Sequence, residues 1–355
     1  MKDTTFLLYG ATGYTGRLIA GMAEKFGLTP ILAGRNEEVL KELAAETGYR
    51  TLAFSLEDRD ALIAALEEVS VVLHAAGPFQ YTSAPMVEAC IASRTHYVDI
   101  TGEIGVFESL KKMDGKAKEA GVVLMPGSGF DVVPTDCMAR FLYDHMPDGE
   151  LLQLAFWQRG STMSRGTART AIESLGEHSV TREGGKLKKV PVGHKTMWIP
   201  FTAEKKAFAM TIPWGDLSTA HFTTGIPNIE TYMAIQPKMH QMIRFTRFLN
   251  PLLRQGWVKK LLLRRVENQQ PGPDEQQLEE GKSYVWGRIQ NPAGETLEAR
   301  LFCPEGYWLT AVTSLLITDK LLQGLPLTGF QTPAAAFGAD FVLSVPGTSR
   351  EWVDQ

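Results

Sequence analysis

The sequence predicts an α/β protein, with a doubly wound parallel sheet in the first part of the chain and a second, α+β domain after it. Three observations carry that prediction. Short apolar runs alternate with helically spaced segments from Thr5 to Met125, the pattern of parallel βαβ units with helices on both faces. A loop with glycines three residues apart follows the first apolar run and opens the first helical segment. Beyond Asp136 the rhythm changes to β-leaning segments separated by turn signals.

In order, the strands are expected at 5–9, 30–33, 51–54, 70–74, 96–100 and 122–125. Helical spacing fills 14–26, 36–47, 58–67, 83–93 and 104–120, the last punctuated by Gly115. Asn36 ahead of Glu37 and Glu38, and Ser83 shortly before Pro85, supply the capping oxygen or fixed φ that a first helical turn favours. After PGSGFDVVPTD (126–136) comes a helix from Pro134 to His145, then strand-like 151–158, 195–200 and 207–213, with turns at Gly184-Gly185 and Pro213-Trp-Gly215. The stretch 238–265 is basic and amphipathic: from Thr231 to Val266 there are eight Lys/Arg and no acid, and Asn250-Pro251 breaks it into two helices. An acidic loop (ENQQPGPDEQQLEEG), a hairpin turned at 291–294 and a helix over YWLTAVTSLLITDKLLQG complete the order.

Composition narrows the function classes. With 355 residues, 44% of them hydrophobic, the chain is long enough for two cores. A net charge of −4 and the absence of a basic motif interleaved with aromatics argue against nucleic acid. Cys90, Cys137 and Cys303 are odd in number and far apart, so neither a disulfide framework nor a zinc site is read, and reduced thiols in a cytoplasmic protein are expected. The apolar run before Gly10 is too short for a secretory signal, and no window approaches the roughly 20 residues of a membrane span.

LLYGATGYTGRLIA (7–20) carries the chemistry. Phosphate oxygens need backbone N–H groups at close range, which glycine permits, and a helix N-terminus adds a positive dipole end. Gly10, Gly13 and Gly16 stand where a Rossmann-type turn needs them, with Thr12 and Tyr14 between them as further cofactor contacts. At the end of the second strand, ILAGRN puts Arg35 where an NAD site has an acid, with Asn36 beside it. A guanidinium matches a 2′-phosphate, so NADP is the expected cofactor and NAD the alternative. HAAGPF (74–79) ends the fourth strand in Ala76, Gly77 and Pro78, small residues against which cofactor ribose can lie.

Together GATGYTGR, LAGRN, AAGPFQY, THYVDITGE and PGSGFDVVPTD resemble the saccharopine dehydrogenase-like oxidoreductase family, which includes saccharopine reductases and trans-acting enoyl reductases, and GYWLTA and GFQTPAAAFGADFVLSVPG extend the likeness to the tail. The resemblance implies an NADP-binding domain over 1–130, a substrate and dimerisation domain over 131–305, and a segment over 306–355 that returns to the first. It further implies a homodimer acting by hydride transfer on a small or lipid-like substrate bearing an enoyl, imine or keto group at an interdomain cleft. Gly129, Asp131 and Asp136 match the loop that lies between cofactor and substrate in saccharopine-forming enzymes, with Asp136-Cys137 where those have Asp-His.

Hydride transfer also needs a proton donor or acceptor. Asp131 and Tyr97 are the catalytic candidates; His96, Asp99, Thr101 and Glu103 stand nearby, and Tyr97 and Asp99 share a strand face. No Tyr-x-x-x-Lys pair follows the fifth strand. SRGTARTAIESL (164–175) either presents a helix N-terminus to an anionic substrate or packs with its arginines solvated. For 238–265 the choices are burial, a membrane surface or an acyl carrier. Isolated histidines such as His178 and His240 lack ligand spacing, and no metal is expected. The competing reading is a non-catalytic NADP sensor that uses the basic stretch to reach a membrane or partner.

Overall fold

The computed structural model describes residues 4–353. In chain order the elements are β1 (Thr5–Tyr9), α1 (Tyr14–Ala23), β2 (Thr29–Gly34), α2 (Glu37–Thr47), β3 (Thr51–Ala53), α3 (Arg59–Glu67), β4 (Val71–His74), α4 (Phe79–Ser93), β5 (His96–Asp99), α5 (Ile104–Lys111), α6 (Asp114–Ala120), β6 (Val123–Met125) and α7 (Val133–His145). There follow β7 (Leu151–Arg159), α8 (Arg165–Glu173), β8 (Ser179–Glu183), β9 (Lys186–Val190), β10 (Thr196–Pro200), β11 (Lys206–Thr211), α9 (Asp216–Thr224) and β12 (Asn228–Ala234). The rest are α10 (Pro237–Thr246), α11 (Asn250–Leu253), α12 (Gly256–Glu267), α13 (Glu275–Glu280), β13 (Lys282–Gln290), β14 (Thr296–Pro304), α14 (Gly306–Leu322), β15 (Gly329–Phe330), α15 (Pro333–Phe337) and β16 (Ser349–Trp352).

The chain divides into two compact units, one running to Val133 and resuming over Tyr307–Ala336, the other comprising Pro134–Gly306 and the residues from Phe337 on. In the first, a seven-stranded sheet has the order β15-β6-β5-β4-β1-β2-β3 with every pairing parallel. Leu7 of β1 pairs with Ile31 on one side and Val72 on the other, so the strand order reverses direction beside β1. Open α/β sheets bind ligands at the carboxyl ends of strands flanking such a point. The strands read as unbroken apolar runs because helices cover both faces, and Phe6, Leu7, Leu8, Val71, Val72 and Leu73 are fully buried.

Two helix boundaries depart from the expected ones. The fourth helix begins at Phe79, with Ser83 buried and Pro85 both inside it, because its first N–H groups are satisfied from elsewhere in the fold, as described below. The segment 104–120 is two helices, broken around Met113, and Gly115 lies inside the second.

The second unit is built on a mixed sheet in the order β10-β11-β12-β7-β13-β14-β16, with β8 attached to β12 and β9 to β8. Only β12–β7 is parallel among these pairings of the described residues. Ala155, Ile199, Phe201, Ala209, Tyr232 and Trp286 form a buried cluster on it. Gly287 lets α7 approach: a Cβ there would meet Met138 Cγ at 2.6 Å. The hairpin β8–β9 turns at Gly184-Gly185, both at positive φ, and neither of its strands was expected from the sequence, nor was β12.

The tail does not return whole to the first unit. Tyr307–Ala336 does, but β16 pairs antiparallel with β14, Ala299 opposite Trp352, and Trp352 packs its ring 4.6 Å from that of Phe141. The strand edge of β14 and the aromatic surface of α7 hold it in the second unit. All three cysteines are free and buried. Among the described residues no helix is long and apolar enough to cross a membrane.

Candidate functional site

The turn from β1 to α1 is a cradle that only small residues can line. Gly10 sits at φ +89°, a backbone conformation that side chains disfavour, and a Cβ on it would lie 2.7 Å from the Ala75 carbonyl carbon at the end of β4. A Cβ on Gly16 would drive into the Gly10 carbonyl oxygen. Gly13 donates to that oxygen at 3.0 Å and is the N-cap of α1. No side-chain hydrogen bond caps this helix and its first turn holds no acid, so the positive end of its dipole is not offset by a carboxylate there. These features fit a diphosphate, and NADP, when bound, would lie with its phosphates on this turn. Tyr14, the first residue of α1, meets Tyr307 edge-on with ring centroids 5.2 Å apart. Tyr307 was not singled out from sequence, since nothing local to GYWLTA signals that it returns to the glycine turn.

At the end of β2, Thr12, Arg35, Asn36, Glu37 and Glu38 line a cavity of about 560 Å³. Arg35 is exposed and, among the described residues, has no carboxylate partner. Glu37, the nearest acid in sequence, is turned to Lys41 at 2.7 Å. The Asn36 Oδ1 accepts from the N–H groups of Glu38 (3.1 Å) and Val39 (3.2 Å), so its oxygen caps α2 and only its amide nitrogen can face a ligand.

At the end of β4, the Ala75 N–H donates to the Tyr9 carbonyl at 2.7 Å, and the Ala76 carbonyl accepts from the Thr82 hydroxyl at 2.7 Å. Ala76, Gly77 and Pro78 therefore form a small-residue ledge from which α4 departs. His74 beneath it is fully buried, with Nε2 3.0 Å from the Thr82 hydroxyl. Burial pushes its imidazole down to about 3, so it stays neutral.

The structure turns Tyr97 inward. It is fully buried, and its hydroxyl donates to Asp99 Oδ2 at 2.6 Å. The other Asp99 oxygen accepts from the N–H groups of Thr101 and Gly127, each at 2.9 Å, tying the ends of β5 and β6 together. Burial pushes the Asp99 carboxyl up to about 7 against these three donors. Tyr97 is thus a strut of this network and has no surface to offer a substrate. Glu103 accepts from Phe79 N–H and Gln80 N–H, both at 2.8 Å, and so caps α4 from a different loop. This is the reason α4 starts before Ser83. A carboxylate that caps a helix distant in sequence leaves no local motif.

Asp131 has a different environment. It follows the loop after β6, and its side chain lies against Gly102, where a Cβ would meet the Asp131 Cβ and Oδ2 at 3.0 Å. It is partly buried and makes no hydrogen bond or ion pair among the described residues. Burial alone pushes its carboxyl up to about 7. The loop carrying it is clamped by α14: Phe130 N–H donates to the Thr310 hydroxyl (2.9 Å), the Thr313 hydroxyl donates to the Ser128 carbonyl (2.6 Å), and a Cβ on Gly129 would meet Thr310 Cγ2 at 2.6 Å. The Asp136 carboxylate is buried and accepts from the Thr223 hydroxyl at 2.7 Å in the second unit.

The helix read at 164–175 is α8, capped by Ser164 through the Thr167 N–H at 3.2 Å. Arg165 donates to the Gln269 carbonyl and Arg169 lies 3.6 Å from Glu267, so both arginines are used within the second unit. No group of His, Cys, Asp and Glu among the described residues has metal-ligand geometry.

A glycine-lined turn from the first strand of a parallel sheet into a helix, with a guanidinium at the end of the second strand, defines a Rossmann-type dinucleotide-binding protein. Residues 6–125 match the family described as the saccharopine dehydrogenase NADP binding domain. A Caenorhabditis elegans protein named lipid droplet localized protein is 25% identical, with 95% of each chain covered. The human saccharopine dehydrogenase-like oxidoreductase is 27% identical over 61% of this chain and 58% of its own, and the trans-acting enoyl reductase of Mycobacterium tuberculosis (strain ATCC 25177 / H37Ra) is 30% identical over 54% of this chain and 49% of its own. The matches to these last two thus span about half of each relative. Saccharopine dehydrogenase (L-Glu forming) from Saccharomyces cerevisiae shares the fold, with a TM-score of 0.67 over 99% of this chain and 100% of that one at 13% identity. Residues 6–125 thus match an NADP-binding domain of the saccharopine dehydrogenase type, and the chain is similar to proteins named saccharopine dehydrogenase-like oxidoreductase.

Proposed function

We propose that this protein transfers a hydride between NADP and a small or lipid-like substrate bearing an enoyl, imine or keto group, with Asp131 as the proton donor or acceptor. The observation that carries the reading is the Asp131 carboxyl itself: partly buried, unpartnered among the described residues, pushed up to about 7, and held on a clamped loop at the carboxyl end of the sheet. A group with that affinity for protons can give or take one near neutral pH.

In this reading Gly10, Gly13 and Gly16 hold the diphosphate and Thr12, Arg35 and Asn36 the adenosine end. Tyr14 and the ledge Ala76-Gly77-Pro78 flank the remainder. NADPH, when bound, supplies the hydride. In the reductive direction the Asp131 carboxyl would give its proton to the atom of the C=C, C=N or C=O bond opposite the carbon that takes the hydride, and would be left as a carboxylate. Tyr97 and Asp99 position the loops that carry Gly102 and Asp131. The enoyl reductase and lipid droplet names among the relatives support an acyl or lipid-like substrate over a small polar one.

NADPH oxidation measured against enoyl thioesters, imines and keto acids tests the reading. Turnover of at least one class is expected, lost in Asp131→Asn with NADPH affinity retained. NADPH binding with no turnover across the panel would favour the sensor reading instead.

A further inference from the structure

The second unit carries a surface that its own packing leaves uncovered. Along α10, Met239, Met242 and Phe245 follow one another at three-residue intervals on the outer face, and Phe248 continues the row; both phenylalanines are 78% exposed. On α12, Trp257 (64% exposed) and Leu261 stand four residues apart, and Leu252 of α11 lies between the two helices in sequence. Large apolar side chains exposed in such a series are uncommon on a protein that works alone in water. The inner face of the same helices is pinned conventionally, with His240 buried and its Nε2 3.0 Å from the Gly193 carbonyl.

The cations of this segment divide in the same way. Arg247 donates to the Val192 carbonyl, Arg254 to the Gly176 carbonyl and Lys259 to the Glu173 carbonyl, so these three fasten the helices to the unit. Lys238, Arg244, Lys260, Arg264 and Arg265 are exposed and make no ion pair among the described residues. On α12, Trp257, Lys260, Leu261 and Arg264 fall at i, i+3, i+4 and i+7, the spacing of one helical face. No acid falls between Pro237 and Val266, in a chain whose net charge is −4; Glu267, at the end of α12, is turned to Arg169 at 3.6 Å.

We infer that α10–α12 dock on an anionic lipid surface, with Phe245, Phe248 and Trp257 entering the headgroup region and the five unpaired cations meeting lipid phosphates and carboxylates. Aromatic and aliphatic side chains rimmed by Lys and Arg are complementary to that boundary in both polarity and charge, whereas a second copy of the same basic face would repel it. The inference does not rest on the hydride reading, because its assay measures attachment and not turnover.

The test is flotation of the full chain with phosphatidylcholine vesicles, with and without phosphatidylserine. Attachment is expected only where phosphatidylserine is present, and it should weaken as salt is raised. Phe245→Ser/Phe248→Ser/Trp257→Ser should abolish it, and Lys260→Gln/Arg264→Gln should weaken it about 25-fold, at roughly fivefold for each cation lost. NADPH binding by both variants, unchanged from the parent, confirms that they are folded. No flotation of the parent with either vesicle, or flotation that the triple variant retains, would overturn the inference. So would self-association of the parent that the triple variant loses, which would assign the face to a second copy of the chain.

Discussion

The carboxyl edge of the parallel sheet and the outer face of α10–α12 use glycine, apolar residues and charge in opposite ways. At the sheet edge, backbone passes so close to backbone that Gly10 and Gly16 admit no other side chain, and each carboxylate has a defined place. Asp99 is saturated with three donors and Glu103 with two, while Asp131 has none among the described residues. On α10–α12 the outward side chains Phe245, Phe248 and Trp257 lie mostly exposed. The first region restricts which residues the fold can tolerate. The second restricts far less.

Substitutions separate the two regimes, and the largest effect is expected at the glycine turn. Gly16→Ala pushes a Cβ into the Gly10 carbonyl oxygen and should reduce NADPH binding below detection by calorimetry, with the second unit still folded by circular dichroism. Asp131→Asn should lower kcat by about 10²–10⁴-fold with little change in NADPH affinity. For the parent, reduction needs the protonated carboxyl, so kcat should be level below pH 7 and decline above it, about tenfold per pH unit, as the group near 7 loses its proton. A profile that Asp131→Asn leaves in place would assign the decline to another group.

Arg35→Ala should weaken NADPH by roughly 10–100-fold, the worth of charge-assisted hydrogen bonds to a dianion, and leave NADH unchanged, read as paired dissociation constants. Glu103→Ala removes the carboxylate cap of α4 and should lower stability by about 1–2 kcal/mol in a denaturant titration. Smallest of all, Phe245→Ser/Phe248→Ser/Trp257→Ser should change stability by no more than about 0.5 kcal/mol per site, because those side chains bury little. A larger loss would mean that the face is packed and would break the contrast drawn here.

The same contrast explains which parts were legible in the sequence. The βαβ rhythm and the glycine turn could be read because period, β-branching and a close backbone approach each demand particular residues at particular spacings. Asp131 could be read as a candidate because its loop is marked by glycines. Tyr97 could not be placed by the same logic: alternation puts it on one strand face with Asp99, but whether that face is solvent or core depends on α4 and on the β6 loop packed over it. The start of α4 was misjudged because its cap, Glu103, comes from a loop later in the sequence. In the second unit β8, β9 and β12 mix polar and apolar residues in short stretches, a pattern shared with loops until sheet neighbours select it. Helical spacing in 238–265 gave the helical character but not the breaks: Asn250-Pro251 opens the short helix α11 instead of dividing two helices, because proline is tolerated in a first turn, and the later break falls before Gly256. Spacing alone also does not tell a buried stripe from an outward one.

The first unit closes only when residues far along the chain have been made. Thr310, Thr313 and β15 come from a segment separated from β6 by strands β7 to β14 of the second sheet, yet they clamp the loop of Asp131 and add the edge strand beside β6. During synthesis the loop of Asp131 must therefore wait for its clamp until that later segment has been made. A nascent chain halted before Tyr307 would carry the glycine signature in full and still leave the Asp131 loop unclamped.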